Sequence, residues 1–307
     1  MNVNYIKYFY ITAMIVVMFF SSEAMGQSSP KYLAIVSDDN PQTAEFISKL
    51  KEYNVDFSIL NIEKDPRLIN FEKEALNFSQ LIIIGKNSFK FYLKHQLKIP
   101  SLVVYVKNST FHHLIECFKH SSLVENYSNY LEDISIIYSD PSPKKQIALI
   151  KKYYIYNSFT VMLSPLTYFM EDELKQTAKE LEMEIHVLKL PSEYDINKAL
   201  NTLPKKHALL ALPDRYIYNR HSLKNIIIST YRSDRPIFGF SKNMVKGGAV
   251  ISHYSDVNDI VKQSIEIMKN IDRDRIRIYS DFTKIEVNKA VVRSLDVIAL
   301  KDNEYES

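Results

Sequence analysis

The fold of this chain is indicated most clearly by residues 207–268, which have the sequence HALLALPDRYIYNRHSLKNIIISTYRSDRPIFGFSKNMVKGGAVISHYSDVNDIVKQSIEIM. Short apolar runs at residues 208–212, 237–240 and 249–253 are predicted strands. Residues 222–232, after the first of these runs, and residues 257–271, after the third, are predicted helices, because apolar residues recur there every three or four positions. Strands that alternate with helices indicate a parallel sheet that is covered on both faces.

The same alternation extends toward the N-terminus. Apolar runs predict further strands at residues 32–36, 55–60, 81–84, 101–106, 134–138, 159–163 and 184–188. Helical patterns predict helices at residues 43–53, 66–77, 87–95, 144–154 and 171–181. We therefore predict an α/β chain of two lobes, each a parallel sheet flanked by helices. Ligands of such sheets bind at the carboxyl ends of the strands and between domains.

The composition excludes several classes of protein. The 307 residues include one cysteine, Cys117, so neither an intrachain disulfide nor a thiolate zinc site can form. The five glycines complete neither a dinucleotide-binding fingerprint nor a phosphate-binding P-loop. With 39 basic and 36 acidic residues, the net charge of +3 is too even to indicate nucleic acid as a partner. At Cys117, a small buried apolar role is expected.

The first 26 residues are typical of a secretory signal. Lys7 precedes an apolar run at residues 8–20, and Ala24, Met25 and Gly26 form a small-residue cleavage pattern before Gln27. The run is shorter than the roughly 20 residues of a membrane span. The alternative is an uncleaved N-terminal anchor. We expect cleavage, export and a mature protein in the periplasm of a Gram-negative bacterium.

A series of sequence motifs occurs in the order known from one family. The quoted block has a strand ending in Leu-Pro-Asp, then PIFGFS, Gly-Gly-Ala and Ser-Asp-x-x-Asp-Ile before a long helix. Upstream stands YSDPSPKKQIALIKKYY at residues 138–154, and downstream FTKIEVNKAVVRSL at residues 282–295. Over residues 31–300 the chain resembles the ABC transporter substrate-binding protein family of the type I periplasmic binding fold, which includes tryptophan-binding members. Asp296 stands where that family usually has glycine, and Val292 where it often has alanine.

The resemblance implies two lobes that close around a small ligand, which a membrane permease then accepts. It implies a first lobe of residues 31–137 plus 257–271 and a second lobe of residues 138–255 plus 276–307. The ligand that it suggests is an amino acid, in particular an aromatic one.

Polar residues at the predicted strand ends are the candidate ligand-binding residues. They are Ser37, Asp38, Asn87, Ser88, Ser164, Asp214, Tyr216 and Ser241. Hydroxyls and helix N-terminal amides suit a carboxylate, an aspartate suits an ammonium group, and tyrosines suit an apolar body.

Each candidate also has a structural alternative. Asp38 and Ser241 are typical helix caps, Asp214 could order its own loop, and Tyr216 could be a surface aromatic. Lys86 replaces the small residue that the family commonly has at this place, and it would favour an anionic ligand unless it is simply solvated.

The function predicted from the sequence is therefore an exported solute-binding protein that serves an ABC importer. The alternative is an orphan ligand-sensing or partner-presenting periplasmic subunit without a permease. No acid–base or nucleophilic constellation, metal-ligand spacing or cofactor motif is present in the sequence. An enzyme, a metal and a cofactor are accordingly not expected.

Overall fold

The structure is a computed structural model that describes residues 32–37, 40–95, 97–120, 131–192, 195–270, 276–295 and 297. The predicted signal at residues 1–26 lies outside the described residues. Among those described, no helix is long and apolar enough to cross a membrane.

The N-terminal part of the chain alternates strands and helices as the sequence predicts. Its elements are β1 (Tyr32–Val36), α1 (Pro41–Glu52), β2 (Phe57–Asn61), a 3-10 turn (Pro66–Asn70), α2 (Phe71–Ala75), β3 (Gln80–Ile84), α3 (Gly85–His95), β4 (Ser101–Val106), α4 (Asn108–Lys119), a 3-10 turn (Leu131–Asp133) and β5 (Ile134–Tyr138).

A second series follows, and its last elements complete both sheets. These elements are α5 (Pro143–Tyr153), β6 (Ser158–Leu163), a 3-10 turn (Tyr168–Met170), α6 (Glu171–Glu180), β7 (Glu184–Lys189), α7 (Ile196–Thr202), β8 (Ala208–Leu210), α8 (Leu223–Tyr231), β9 (Ile237–Gly239), α9 (Lys242–Gly247), β10 (Ile251–Tyr254), α10 (Val257–Met268), β11 (Arg277–Tyr279), β12 (Lys284–Val287) and α11 (Lys289–Val292).

The described strands form two six-stranded sheets. The first has the order β11-β5-β4-β3-β1-β2, and its strands are parallel. The second has the order β12-β10-β9-β8-β6-β7 and is parallel except for the antiparallel pair β10–β12. Each sheet thus contains the doubly wound strand order 2-1-3-4-5. The direction in which successive strands are added across the sheet reverses between the first and third strands.

Apolar layers on both faces hold each sheet. Every residue of β1, β3, β5 and β6 is buried, as expected for parallel strands with helices on both sides. The first sheet packs between one cluster around Phe89 and Phe111 and another that includes Ile260 and Met268 of α10. The second sheet likewise lies between two buried clusters. The two sheets are therefore the cores of two lobes.

The chain crosses between the lobes three times, at residues 139–142, 255–256 and 280–283. The third crossing corrects the sequence analysis, which assigned residues 276–307 to the second lobe. Residues 277–279 instead form β11, which pairs with β5 at the edge of the first sheet. A three-residue strand carries too short a pattern to specify its neighbour, and its place is set by tertiary contacts. Elsewhere the predicted elements differ from the observed ones mainly at their ends.

Candidate functional site

The carboxyl ends of the strands in the two sheets face each other across a cleft. In the first lobe, β3 leads directly into α3 through Gly85, whose φ of +85° is a conformation that glycine adopts without strain. The strand β4 leads through Lys107 into α4. In the second lobe, the loops after β6, β7 and β8 lie opposite. Each side of the cleft therefore includes the point where its sheet reverses strand order, where ligands of such sheets bind.

Two adjoining cavities occupy this cleft. The smaller, of about 170 Å³, has residues of both lobes in its walls: Lys86, Lys107, Ser109, Thr110, His113, Leu166, Pro213 and Arg215. The larger, of about 500 Å³, is lined by His113, Ser164, Pro165, Leu166, Leu190, Pro191, Ser192, Tyr216 and Ile217. His113 and Leu166 contribute to both cavities, so the two are neighbours.

The smaller cavity is lined by cations from both lobes. Lys86 and Lys107 come from the first lobe and Arg215 from the second, and all three are exposed. Within the described part of the chain, no carboxylate forms an ion pair with any of them, and none lines either cavity. The guanidinium of Arg215 lies 5.6 Å from the ring centre of Tyr216, at the side of the larger cavity.

Two helices begin beside these lysines. Lys86 is in the first turn of α3, and Lys107 is the residue before α4. Neither helix has an acidic residue in its first turn. The N-terminus of a helix carries a partial positive charge and free N–H groups, and a cation placed there is electrostatically unfavourable. The positive potential at this end of the cleft is therefore not compensated by the described residues of the two helices.

Asp214 organises the wall of the larger cavity from behind. Its Oδ2 accepts a hydrogen bond from the Thr167 hydroxyl at 2.7 Å and one from the Ser164 backbone N–H at 3.3 Å. Its Oδ1 accepts one from the Tyr216 backbone N–H at 2.9 Å. The side chain is only 1% exposed. We therefore propose for Asp214 a positioning role for the loops after β6 and β8 rather than direct contact with a ligand.

The other predicted second-lobe residues separate into two groups. Ser164 and Tyr216 line the larger cavity, and Tyr216 is 44% exposed. Ser241 instead caps α9, because its hydroxyl accepts a hydrogen bond from the Met244 backbone N–H at 3.3 Å. It lines neither cavity. Asp214 thus holds the cavity wall through its hydrogen bonds, and Ser241 is a helix cap.

The described first-lobe candidates, Ser37, Asn87 and Ser88, line neither cavity. Ser37 is buried at the end of β1, and Asn87 is exposed on α3. Ser88 is completely buried, and its hydroxyl has no hydrogen-bond partner in the described structure. Asp38 lies outside the described residues. Tyr105, near the end of β4, packs edge-on against Phe46 on the α1 side of the sheet.

Sequence reasoning missed most of the residues that line the smaller cavity. Lys107 lies between β4 and α4, Ser109 and Thr110 lie in the first turn of α4, and a lysine before a helix start is an ordinary surface pattern. Arg215 was adjacent to two candidates but offered no signal of its own. The usable signal was positional, since every one of these residues follows the carboxyl end of a strand.

An aspartate in the first crossing joins the hinge to the cleft. Asp140 is 8% exposed, and its Oδ2 accepts a hydrogen bond from the backbone N–H of Asn108, the first residue of α4, at 2.8 Å. The side-chain Nδ2 of Asn108 donates a hydrogen bond to the Tyr279 hydroxyl in β11 at 2.6 Å. Burial raises the pKa of Asp140 to about 7, although the Asn108 N–H and the charge of Lys107 act in the opposite direction. The hinge thus caps a helix that lines the cleft.

A ring contact also links the lobes directly. His112 of α4 and Phe169 of the second lobe have ring centres 4.2 Å apart. Partial burial lowers the pKa of His112, and the charge of Arg277 lowers it further. A neutral imidazole is therefore favoured at this contact.

The described residues include the single cysteine and no cluster of metal-ligating side chains. No group of three or more His, Cys, Asp and Glu side chains there could hold a metal ion. Cys117 is exposed, which corrects the expectation of a buried role, and its sulfur lies 3.7 Å from His113 Nε2 on the same helix. It was placed wrongly because the apolar stripe of α4 passes through Phe111, Leu114 and Ile115 instead.

The architecture has counterparts among solved structures. A substrate-binding protein with adhesive properties from Clostridium difficile, in its ligand-free open form, aligns with a TM-score of 0.63 at 16% identity, over 91% of this chain and 98% of that one. The chain has the two-lobe fold of type I periplasmic binding proteins.

Two further structures share this fold. An ABC domain in complex with L-Trp from Streptococcus pneumonia has a TM-score of 0.52 at 15% identity, over 90% of this chain and 97% of that one. A conserved domain protein from Vibrio cholerae has a TM-score of 0.54 at 14% identity, over 90% and 97% of the two chains. No family model matches the chain, and no curated protein matches it.

Proposed function

We propose that this chain is an exported solute-binding protein that closes around a small organic ligand and delivers it to an ABC importer. The observation that carries the proposal is the cleft, in which residues of both lobes line two adjoining cavities at the strand-reversal points of both sheets. The C. difficile and S. pneumonia proteins of the same fold are described as a substrate-binding protein and as an L-Trp complex. Their descriptions support a binding role.

The cleft supports closure as the mechanism. Three crossings join the lobes, and Lys145 Nζ donates to the Asp281 carbonyl at 2.9 Å beside the third crossing. Ser255 in the second crossing donates to the Phe282 carbonyl at 2.8 Å, so these two crossings are tied together. A ligand that contacts Lys86 or Lys107 on one side and Arg215 on the other favours the closed arrangement through its contacts to both lobes.

Several features of the proposal come from the sequence. The predicted N-terminal signal supports export to the periplasm, and the ordered motifs support membership of the ABC transporter substrate-binding family and an inner-membrane permease as partner. Residues 31–137, 257–271 and 276–279 would form the first lobe, and residues 138–255 and 280–307 the second. We propose binding rather than catalysis, without a cofactor, a metal or a nucleic-acid partner.

A binding screen tests the function. The mature protein is heated with a library of small organic acids, amino acids and sugars, because a ligand of the native state raises the melting temperature by mass action. Calorimetry with each stabilising compound is expected to give one site per chain. Leu166 lines both cavities, so the larger side chain of a Leu166→Trp variant would occupy space in them, and this variant should lose binding. The control is Leu76→Trp, at a side chain that is 72% exposed, which should retain binding.

Two outcomes would contradict the proposed function. One is the absence of any stabilising compound across the library. The other is binding that Leu166→Trp leaves unchanged, since the ligand would then lie outside the cleft. Export is checked separately by N-terminal sequencing of protein from the source cell, which should begin near Gln27.

A further inference from the structure

We infer that the cleft takes an organic anion with an apolar body, whose anionic group lies in the smaller cavity and whose body lies in the larger one. The inference rests on the proposed function and names its ligand class. It differs from the amino-acid ligand that the sequence suggests, because no ammonium group is required.

Three cations of the smaller cavity are the first reason to expect an anion there. Lys86, Lys107 and Arg215 line one cavity of about 170 Å³, and no described carboxylate forms an ion pair with any of them, although the charge of Lys107 acts on the buried Asp140. The two lysines also stand at helix N-termini, where the helix dipole disfavours a cation. An anion between them would accept charge-assisted hydrogen bonds and relieve this repulsion. The hydroxyls of Ser109 and Thr110 in the same wall can donate as well.

The second reason is that an ammonium group would find no carboxylate among the described residues that line the cavities. Neither cavity has an aspartate or glutamate among the described residues that line it. Asp214, the nearest in sequence to these walls, is 1% exposed and already accepts hydrogen bonds from Thr167, Ser164 and Tyr216. An ammonium group would meet three cations and no carboxylate among the described residues that line the two cavities. We therefore expect the cleft to bind an anion more tightly than a zwitterion.

The larger cavity has the lining and the volume for the apolar body of the ligand. Most of its wall is apolar and comes from Pro165, Leu166, Leu190, Pro191 and Ile217, with the Tyr216 ring beside them. About 500 Å³ is in the range of pockets that hold small organic molecules. Because the two cavities share Leu166 and His113, one molecule can place a charged end in the first and an apolar body in the second.

This arrangement also couples charge to closure. Arg215 belongs to the second lobe, whereas Lys86 and Lys107 belong to the first, so like charges oppose each other across the cleft. A bound anion changes this repulsion into attraction to both sides. The anionic group is thus the part of the ligand that stabilises the closed state.

Matched probes test the inference by calorimetry on the mature protein. The panel pairs 3-phenylpropanoate and indole-3-propanoate with their uncharged primary amides and with L-phenylalanine and L-tryptophan, and phenyl phosphate distinguishes a phosphate head group from a carboxylate. We expect at least one anion to bind about tenfold or more tightly than the corresponding amide and more tightly than the corresponding amino acid. One charge-assisted hydrogen bond of about 1.5 kcal/mol corresponds to that factor of ten.

Charge variants then locate the anion. Arg215→Gln and Lys107→Gln should each weaken the best anion about tenfold and reduce the salt dependence of its affinity. Lys98→Gln and Lys205→Gln remove exposed lysines that precede β4 and β8, at the opposite edges of the sheets, and should change neither property. Circular dichroism and melting temperature confirm that each variant is folded.

The outcomes separate this inference from the proposed function. Binding of an amino acid or an uncharged compound that Leu166→Trp abolishes, but that Arg215→Gln and Lys107→Gln leave unchanged, would overturn the anion inference and preserve the solute-binding function. Equal affinity for an acid and its amide would also overturn it, as would failure of every anion in the panel to bind. Absence of binding by any compound in the wider library would overturn both.

Discussion

Replacing Asp140 by Asn should change the pH dependence of stability in a direction that the structure fixes. Burial raises the pKa of Asp140 from 3.8 to about 7 in the folded chain. Between these two pH values the folded state holds a proton that the unfolded state has released. The contribution of Asp140 to stability is therefore fully present below pH 3.8 and is lost as the pH rises through about 7.

The magnitude follows from the size of that shift. A difference of about three pH units corresponds to an upper bound of roughly 4 kcal/mol, at about 1.4 kcal/mol per unit. The side-chain carbonyl of an asparagine at this position can still accept the hydrogen bond from the Asn108 N–H, so the helix cap is retained. Asp140→Asn should thus be more stable than the wild type at pH 8 by about 1–4 kcal/mol, and this advantage should vanish near pH 4.

Urea denaturation of wild type and variant at pH 4, 6 and 8 measures the difference, and other titrating groups cancel in the comparison. Asp56→Asn, at an exposed aspartate, is the control and should show no gain between pH 4 and 8. A stability difference between Asp140→Asn and wild type that stays constant with pH would refute the reasoning. A variant that becomes less stable than wild type as the pH rises would refute it as well.

Three other positions give predictions, and the first two separate structure from binding. Asp214→Asn replaces an oxygen that accepts from Thr167 or from backbone N–H groups, so the free energy of unfolding should fall by about 1–3 kcal/mol and ligand affinity should fall with it. Ser241→Ala removes a helix cap, so the free energy of unfolding should fall by about 0.5–2 kcal/mol while ligand affinity stays unchanged. Calorimetry in which Ser241→Ala weakens binding and Asp214→Asn does not would contradict both assignments. Burial, aided by the charge of Lys145, lowers the pKa of His253 from 6.5 to about 4, so its contribution to stability is present above pH 6.5 and is lost as the pH falls toward 4. His253→Asn should flatten the stability curve in that acidic range, and denaturation curves that run parallel to wild type from pH 7 to 4 would count against this.

Much of the fold is predictable from the sequence because buried parallel strands carry continuous apolar runs. The segments 81–84 and 134–138 are completely apolar or nearly so, and both are central strands in the structure. The return of residues 277–279 to the first sheet is different, since nothing local in three residues specifies which strand they pair with. Chain order alone placed them with the second lobe.

The site was predicted less completely than the fold. The two cavities lie at the edge of both sheets that the positions after strand ends indicated, and Ser164 and Tyr216 line one of them. Which side chains face the cleft depends on partners distant in sequence. Asp214 accepts a hydrogen bond from Thr167, 47 residues away, and thereby becomes part of the wall instead of its surface. Lys107 and Arg215 meet at one cavity only because the lobes face each other.

The central claim is that both lobes close on one ligand, and small-angle X-ray scattering measures this directly. Scattering is recorded for the mature protein alone and at a concentration of the tightest compound from the binding screen that saturates the site. The Leu166→Trp variant is the control. We expect saturation to reduce the radius of gyration of the wild type and to leave that of the variant unchanged. A wild-type profile that does not change at saturation would contradict the account, because the protein would then bind its ligand as a static scaffold.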